Sequence, residues 1–148
     1  MTEVGASMLF GTVCSDGAPR AARAWGVRAD PSSGRFRIAV TADDAIVVAN
    51  LTNVANPSVT FTAADVRTFR SLQMKGRVVL VEPPTPDDRA IVDQQTDRFF
   101  VAVMEVDRTP LEGLRCMLPH EVVMVEMSVD ELFDQTPGPT AGSALRST

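Results

Sequence analysis

Apolar and polar residues alternate with a period of two over much of this chain, a pattern that predicts strands rather than helices. Met8–Cys14 reads as a first strand and Pro19–Val27 as a second; the Asp16-Gly17 pair in the Ser15–Ala18 turn between them is a hairpin signal. After the turn Asp30-Pro31-Ser32-Ser33-Gly34, residues Phe36, Ile38 and Val40 alternate along a strand Arg35–Val40. Val59 and Phe61 do the same along Ser58–Ala63, which follows the helix-breaking Asn56-Pro57. A longer strand is predicted from about Thr68 to Glu82, with Ser71, Gln73 and Lys75 on one face and Leu72, Met74 and Gly76 on the other. Its second half, Val78-Val79-Leu80-Val81, is apolar on both faces, as expected deep in a barrel or under a helix. Gly76 offers a place for that strand to bend. Val122–Val129 reads as the last strand.

Two segments break the alternation. Thr41-Ala42-Asp43-Asp44 has the spacing of a capping box, with Asp in place of the usual Glu or Gln, and Val47, Val48, Leu51 and Val54 share one helical face behind it. The rigid link Pro83-Pro84 leads into the clearest helix. Thr85 is its N-cap and Pro86 its first residue, Asp87 and Asp88 complement its dipole, and Val92, Phe99, Val103 and Val106 form its buried stripe. From Gln135 the chain reads as irregular, with a flexible tail over 143–148 behind a single domain over 1–142. The expected fold is mainly β with two or more helices: about six antiparallel strands closed as a split β-barrel.

A length of 148 residues suits one domain with its own core. The composition, 45% apolar and 22% charged, is globular rather than disordered. A formal charge of −5 argues against broad electrostatic binding to nucleic acid or anionic lipid, so any basic site must be local. No apolar run approaches the roughly 20 residues of a membrane span, and no basic–apolar leader opens the chain. The expected location is cytoplasmic. Cys14 and Cys116 are too few and too scattered for a disulfide framework or a zinc site, and no metal site is expected. The seven methionines are scattered and read as core filler.

Local positive charge is concentrated on the second strand. Arg20, Arg23 and Arg28 bracket Trp25, the only tryptophan. Guanidinium groups beside an aromatic plane suit an anionic, planar ligand. The plainer readings are solvated charges on an exposed strand face and a tryptophan packed in the core. His120 follows a proline in a loop with no ligand-spaced partner, and nothing places a nucleophile near it, so no Ser-His-Asp arrangement emerges.

The order of these pieces resembles the pyridoxamine 5′-phosphate oxidase-like family, over roughly Met8 to Gly142. The matching pieces are Asp16-Gly17-Ala18-Pro19 before an Arg-bearing strand, a strand ending at Thr41 and running into a helix, and Asn56-Pro57-Ser58-Val59-Thr60-Phe61. Arg70-Ser71-Leu72-Gln73-Met74-Lys75-Gly76 resembles that family's Arg-Gln-Val-x-Val-x-Gly strand, and Asp130–Pro139 resembles the tail of an uncharacterised subgroup. The resemblance implies an FMN-binding split barrel in which FMN lies at a homodimer interface. It implies phosphate binding by Arg23, Arg28 and Lys75, approach of Thr41 and Ala42 to the ring or ribityl chain, contact of Gln73 with the ring, and Trp25 as a pocket wall. The implied activity is an FMN-dependent oxidoreductase acting on a small molecule, with the catalytic residues unassigned. Hydride chemistry of this kind belongs to the flavin ring, so an absent acid–base pair does not count against it.

The chain departs from the family in three places. Arg23 sits one residue later after the proline than the family's Arg. Asp43-Asp44-Ala45 stands where the oxidases proper have Ser-Arg-Lys, and like charges about 4 Å apart repel by roughly 4 kcal/mol at an effective dielectric near 20. The signature that grips pyridoxal phosphate is absent, which argues against a vitamin B6 enzyme. The alternatives are therefore a non-catalytic ligand- or flavin-binding barrel and, further off, a deazaflavin or haem protein with His120 as the histidine ligand.

Overall fold

A computed structural model describes residues 3–147. Its strands are β1 (Ala6–Val13), β2 (Pro19–Asp30), β3 (Arg35–Thr41), β4 (Ser58–Asp65), β5 (Ser71–Glu82), β6 (Val122–Asp134) and β7 (Ser143–Ser147), and its helices are α1 (Ala45–Leu51), α2 (Pro86–Asp107) and α3 (Leu111–Arg115). The sheet runs β3-β2-β1-β4-β5-β6-β7, and a further β3–β6 pairing closes the first six strands into an antiparallel barrel. The length of β6 makes the closure possible. One edge of β6 pairs with β5 from Met124 to Asp134, while its other edge pairs with β3 over its first half, from Phe36↔Met127 to Thr41↔Val122, and with β7 over its second.

The inward positions of the alternation fill the barrel. Phe10, Ile38, Val40, Val125 and Met127 are fully buried among Ala24, Val59, Phe61 and Met74, and α1 adds Val47 and Leu51 to the same core. A second, smaller cluster lies outside the barrel, where Trp25 of β2 packs with Phe99 and Phe100 of α2 and Leu114 of α3. Thr85 is the N-cap of α2 as expected, and Asp88, read only as complementing the helix dipole, completes a capping box with it.

Several local expectations are corrected. Val79 and Leu80 are exposed, not buried on both faces, because β4 pairs with β5 only as far as Arg77; past the Val78 amide, which donates to the Pro57 carbonyl, β5 is paired with β6 alone, with a register shift between Val78 and Leu80. Val106 and Val54 are likewise exposed, whereas Val92, Phe99 and Val103 do face the outer cluster. The tail expected to be irregular contains β7, which pairs Ser143 with Asp134; residue 148 of that tail lies outside the described residues. Gly76, read as a place for a bend, lies where the β5–β6 ladder shifts register, and a Cβ there would stand 1.8 Å from the Ser128 carbonyl oxygen. No helix among the described residues is long and apolar enough to cross a membrane.

Candidate functional site

On a regular strand, residues five apart point to opposite faces. Arg23 and Arg28 nevertheless both point outward, because β2 carries an irregularity between Ala24 and Gly26. Ala24 and Val27 enter the barrel core, whereas Trp25 joins the outer cluster and Gly26 lies against Val92 of α2. The bulge thus gives β2 an outward run around Trp25, which re-aims side chains as bulges commonly do.

Helix α2 crosses this run and separates the two arginines. Pairing with β1 ends at Ala24, so Val27 needs other partners; Gln95 accepts from the Val27 amide and donates to its carbonyl oxygen, each at 2.9 Å. Arg28 lies at the far side, 3.8 Å from Asp88, across the ladder from Arg37. Arg37 is bonded to the same carboxylate at 2.9 and 2.7 Å and to Glu82. Five strand residues span about 16 Å, so Arg23 and Arg28 do not converge as one phosphate clamp. Arg20 is also occupied, with Nε 2.8 Å from Asp44.

Arg23 is different. Its guanidinium lies 5.4 Å from the centre of the Trp25 ring and 5.0 Å from that of Phe99. It is half-buried, and among the described residues it has no carboxylate partner. Burial pulls its pKa down from the usual arginine value.

Trp25, 3% exposed, donates its indole N–H to Thr41 Oγ1 at 2.9 Å, which ties the bulge to the end of β3. The Ala42 amide, expected near a ring edge, donates instead to the Glu121 carbonyl at 2.9 Å. Asp43 accepts from the amides of His120 and Glu121, and Asp44 caps α1. Both carboxyls are held below the ordinary carboxylate value: Asp43 chiefly by the His120 amide, Asp44 chiefly by Arg20. The two acids are thus satisfied by their own chain.

Gln73 and Lys75 lie elsewhere, on the outer sheet face. Register aligns Arg23, Leu9, Thr62, Gln73 and Phe133 in one row across five strands, with Ala21, Gly11, Thr60, Lys75 and Glu131 in the next. Gln73 donates to Thr62 Oγ1 at 3.3 Å and accepts from Gln135. Lys75, the only lysine, has its ammonium 4.6 Å from the Phe133 ring centre. Leu9 is 49% exposed in the middle of the first row. A groove of about 670 Å³ runs beside the second row, lined by Gly11, Ser58, Thr60, Lys75 and Arg77.

A larger cleft of about 1320 Å³ opens on the other side of Trp25's cluster, between α2, α3 and the start of β6. Sequence reasoning missed its residues Arg89, Thr96 and Arg115. The helical spacing of Arg89, Val92, Thr96 and Phe100 was a usable signal for one wall, but nothing local in the sequence marked Arg115. His120 also lines this cleft. Among the described residues, no three His, Cys, Asp or Glu side chains are grouped to hold a metal.

No family model matches the chain, and no curated protein matches its sequence. Solved structures do match its fold. An F420 reductase superposes with a TM-score of 0.54 at 20% identity, over 88% of this chain and 91% of that one. HutZ, a haem storage protein from Vibrio cholerae, gives 0.53 at 13% identity over 90% and 88% of the two chains. A protein of the pyridoxine-phosphate oxidase family from Clostridium acetobutylicum gives 0.50 at 12% identity over 91% and 82%. The chain has the split barrel of the pyridoxamine 5′-phosphate oxidase-like proteins. Within this split barrel, Arg23, Gln73 and Lys75 share the outer sheet face, Trp25, Thr41 and Ala42 border it at one end, and Arg28 stands apart.

Proposed function

We propose that this split barrel is a homodimeric flavin-binding protein that takes FMN, or a phosphorylated deazaflavin, at the outer sheet face and acts as an oxidoreductase on a small molecule. Arg23 carries the reading. The two aromatic rings attract the half-buried Arg23 guanidinium but accept none of its in-plane N–H groups, and with no carboxylate partner among the described residues those donors suit an anion. Beside the groove, Lys75 and Thr60 add one ammonium and a hydroxyl on the same face for a phosphate, while Arg77 is paired with Asp130 and Glu131 stands across the ladder from Lys75. Gln73 supplies an amide between the two, three strands from Arg23 or about 14 Å. The bound flavin would supply hydride acceptance and donation. The chain's own residues bind and orient it, and a second protomer laid on the open face excludes water.

Titration of the purified chain with FMN, followed by flavin absorbance and by mass measurement of the assembly, tests this. Retained flavin in a dimer is expected, with affinity falling about tenfold to hundredfold in Arg23→Ala, the range for a hydrogen bond to a charged group. A chain that takes up no flavin, or an Arg23→Ala variant that binds as well as the parent, overturns it.

A non-catalytic ligand-holding role is the second reading. It is favoured by the head of α1, where Asp43 and Asp44 are closed on the chain itself instead of offering a phosphate grip. Flavin retention without turnover of any electron donor would select it, and a Soret band on adding haem would select the haem form with His120.

A further inference from the structure

We infer that Gln95 is the positioning residue of the Arg23 site, setting through α2 where the Arg23 guanidinium stands. Its consequence for flavin rests on the reading of Arg23 as the anion's partner; its effect on Arg23 does not. Three positions of α2 meet β2: Val92 lies against Gly26, Gln95 bonds Val27, and Phe99 lies beside Arg23. Spaced by three and four residues, they share one helix face. The contact at Gln95 is the directional one. Val27 pairs with Ile38 along one edge of β2, and β1 has left the other edge at Ala24. Gln95, 5% exposed, fills that edge, accepting from the Val27 amide and donating to the Val27 carbonyl oxygen. A carboxamide offers an acceptor and a donor together, so an apolar or ionised side chain there would leave a buried backbone group unpaired.

The seating so fixed reaches Arg23 through Phe99, which stands one helical turn beyond Gln95 and is buried. The Arg23 guanidinium lies between two ring contacts, 5.0 Å from the centre of Phe99 and 5.4 Å from that of Trp25. Trp25 belongs to β2 and is tied to β3 by its bond to Thr41, whereas Phe99 is carried by the helix. A shift of α2 along β2 would remove one ring and leave the other, turning the guanidinium and re-aiming its in-plane N–H groups. The packing of Val92 on Gly26 limits how near the helix comes, but close contact alone does not stop it sliding. Two hydrogen bonds to one residue do, because they weaken steeply with distance and angle. No carboxylate among the described residues holds Arg23 in place instead.

The position of Arg23 can be read directly. In the chain labelled with nitrogen-15 arginine, without flavin, the Arg23 Nε–H resonance is assigned by its loss in Arg23→Lys and is expected to be displaced by the two rings. Gln95→Met keeps the length of the side chain and removes both bonds to Val27; the resonance is expected to return toward those of the exposed arginines. Gln95→Glu keeps the acceptor, is expected to give an intermediate displacement, and decides the question if Gln95→Met does not fold. In FMN titrations Gln95→Met is expected to lose about tenfold in affinity, the lower end for a hydrogen bond to a charged group, and to add no further loss to Arg23→Ala. A Gln95 that only braced the fold would lower the thermal midpoint and leave both readouts in place. An Arg23 resonance undisplaced in the parent, or unmoved in a folded Gln95 variant, overturns the inference, as do FMN losses that add in the double variant. If the parent takes up no FMN, the flavin reading fails and the resonance alone decides the role of Gln95.

Discussion

Arg20 and Asp44 close on one another across 24 residues of sequence, Nε to Oδ2 at 2.8 Å, joining the first hairpin to the head of α1. The same carboxylate accepts from the Ile46 amide at 2.9 Å, so one side chain both caps the helix and pairs with the barrel. Asp44→Asn retains a capping acceptor and loses the pair; a small drop in thermal midpoint is expected, and a larger one for Asp44→Ala. Flavin affinity is expected to be unchanged in Asp44→Asn, because the phosphate is assigned to the sheet face. A marked gain in affinity, measured by flavin titration, would move the phosphate to the head of α1.

Asp88 ties α2 to the barrel. It is 2% exposed, bonded twice to Arg37, and accepts from the amide and hydroxyl of Thr85. Arg37 first, then the Thr85 bonds, hold its carboxyl far below the ordinary value in the fold, against the opposing effect of burial. A depressed folded-state pKa gives stability that is fully present above the unfolded value near 4 and lost as pH falls further. Asp88→Ala leaves Arg37 with Glu82 alone and removes the tie to α2, and is expected to cost about 3 kcal/mol at neutral pH. Urea unfolding at pH 7 and at pH 3 checks both points: the gap between parent and variant should shrink in acid.

Much of this architecture was legible because inward positions alternate plainly in β1, β3 and β4, and because Thr85-Pro86-Asp87-Asp88 is a complete helix start. What was not legible depends on contacts remote in sequence. The exposure of Val79 and Leu80 follows from where β4 stops pairing, which the apolar run itself cannot reveal. Arg20, Arg23 and Arg28 look equivalent along the strand. Only the positions of Asp44, Asp88 and α2 show that two are matched and one is not. The Ala42 amide was a reasonable ring contact until the residue just before β6, Glu121, supplied its acceptor.

Gly26 sets how closely α2 approaches β2. A Cβ there would stand 3.1 Å from Val92 Cγ2 and 3.3 Å from Val92 Cα, and the second of these is helix backbone that cannot simply rotate away. Gly26→Ala is expected to push α2 outward, stretch the Gln95 bonds to Val27 and destabilise the chain by about 1–3 kcal/mol. Near-ultraviolet circular dichroism of the single tryptophan should weaken with it, because Trp25 is packed between that strand and Phe100. An unchanged spectrum and thermal midpoint would show that the helix yields without consequence.

Leu9 tests whether the open face works as an interface. It stands between Arg23 and Thr62 in the row that ends at Gln73 and Phe133, half-exposed and apolar, beside a bare Gly11 in the next row. Leu9→Glu places a carboxylate beside Arg23 without touching the barrel interior, so the isolated fold should keep its far-ultraviolet signature. Two consequences are expected together. A second protomer would have to bury that charge, so the assembly should fall to a monomer by mass measurement. The new carboxylate also competes for Arg23, so flavin retention should fall at least as far as in Arg23→Ala, by about tenfold or more. If the variant remains a dimer but loses flavin, the open face binds the cofactor and the protomers meet elsewhere. If it remains a dimer and keeps flavin, Arg23 is not the anion's partner and the proposed site is wrong.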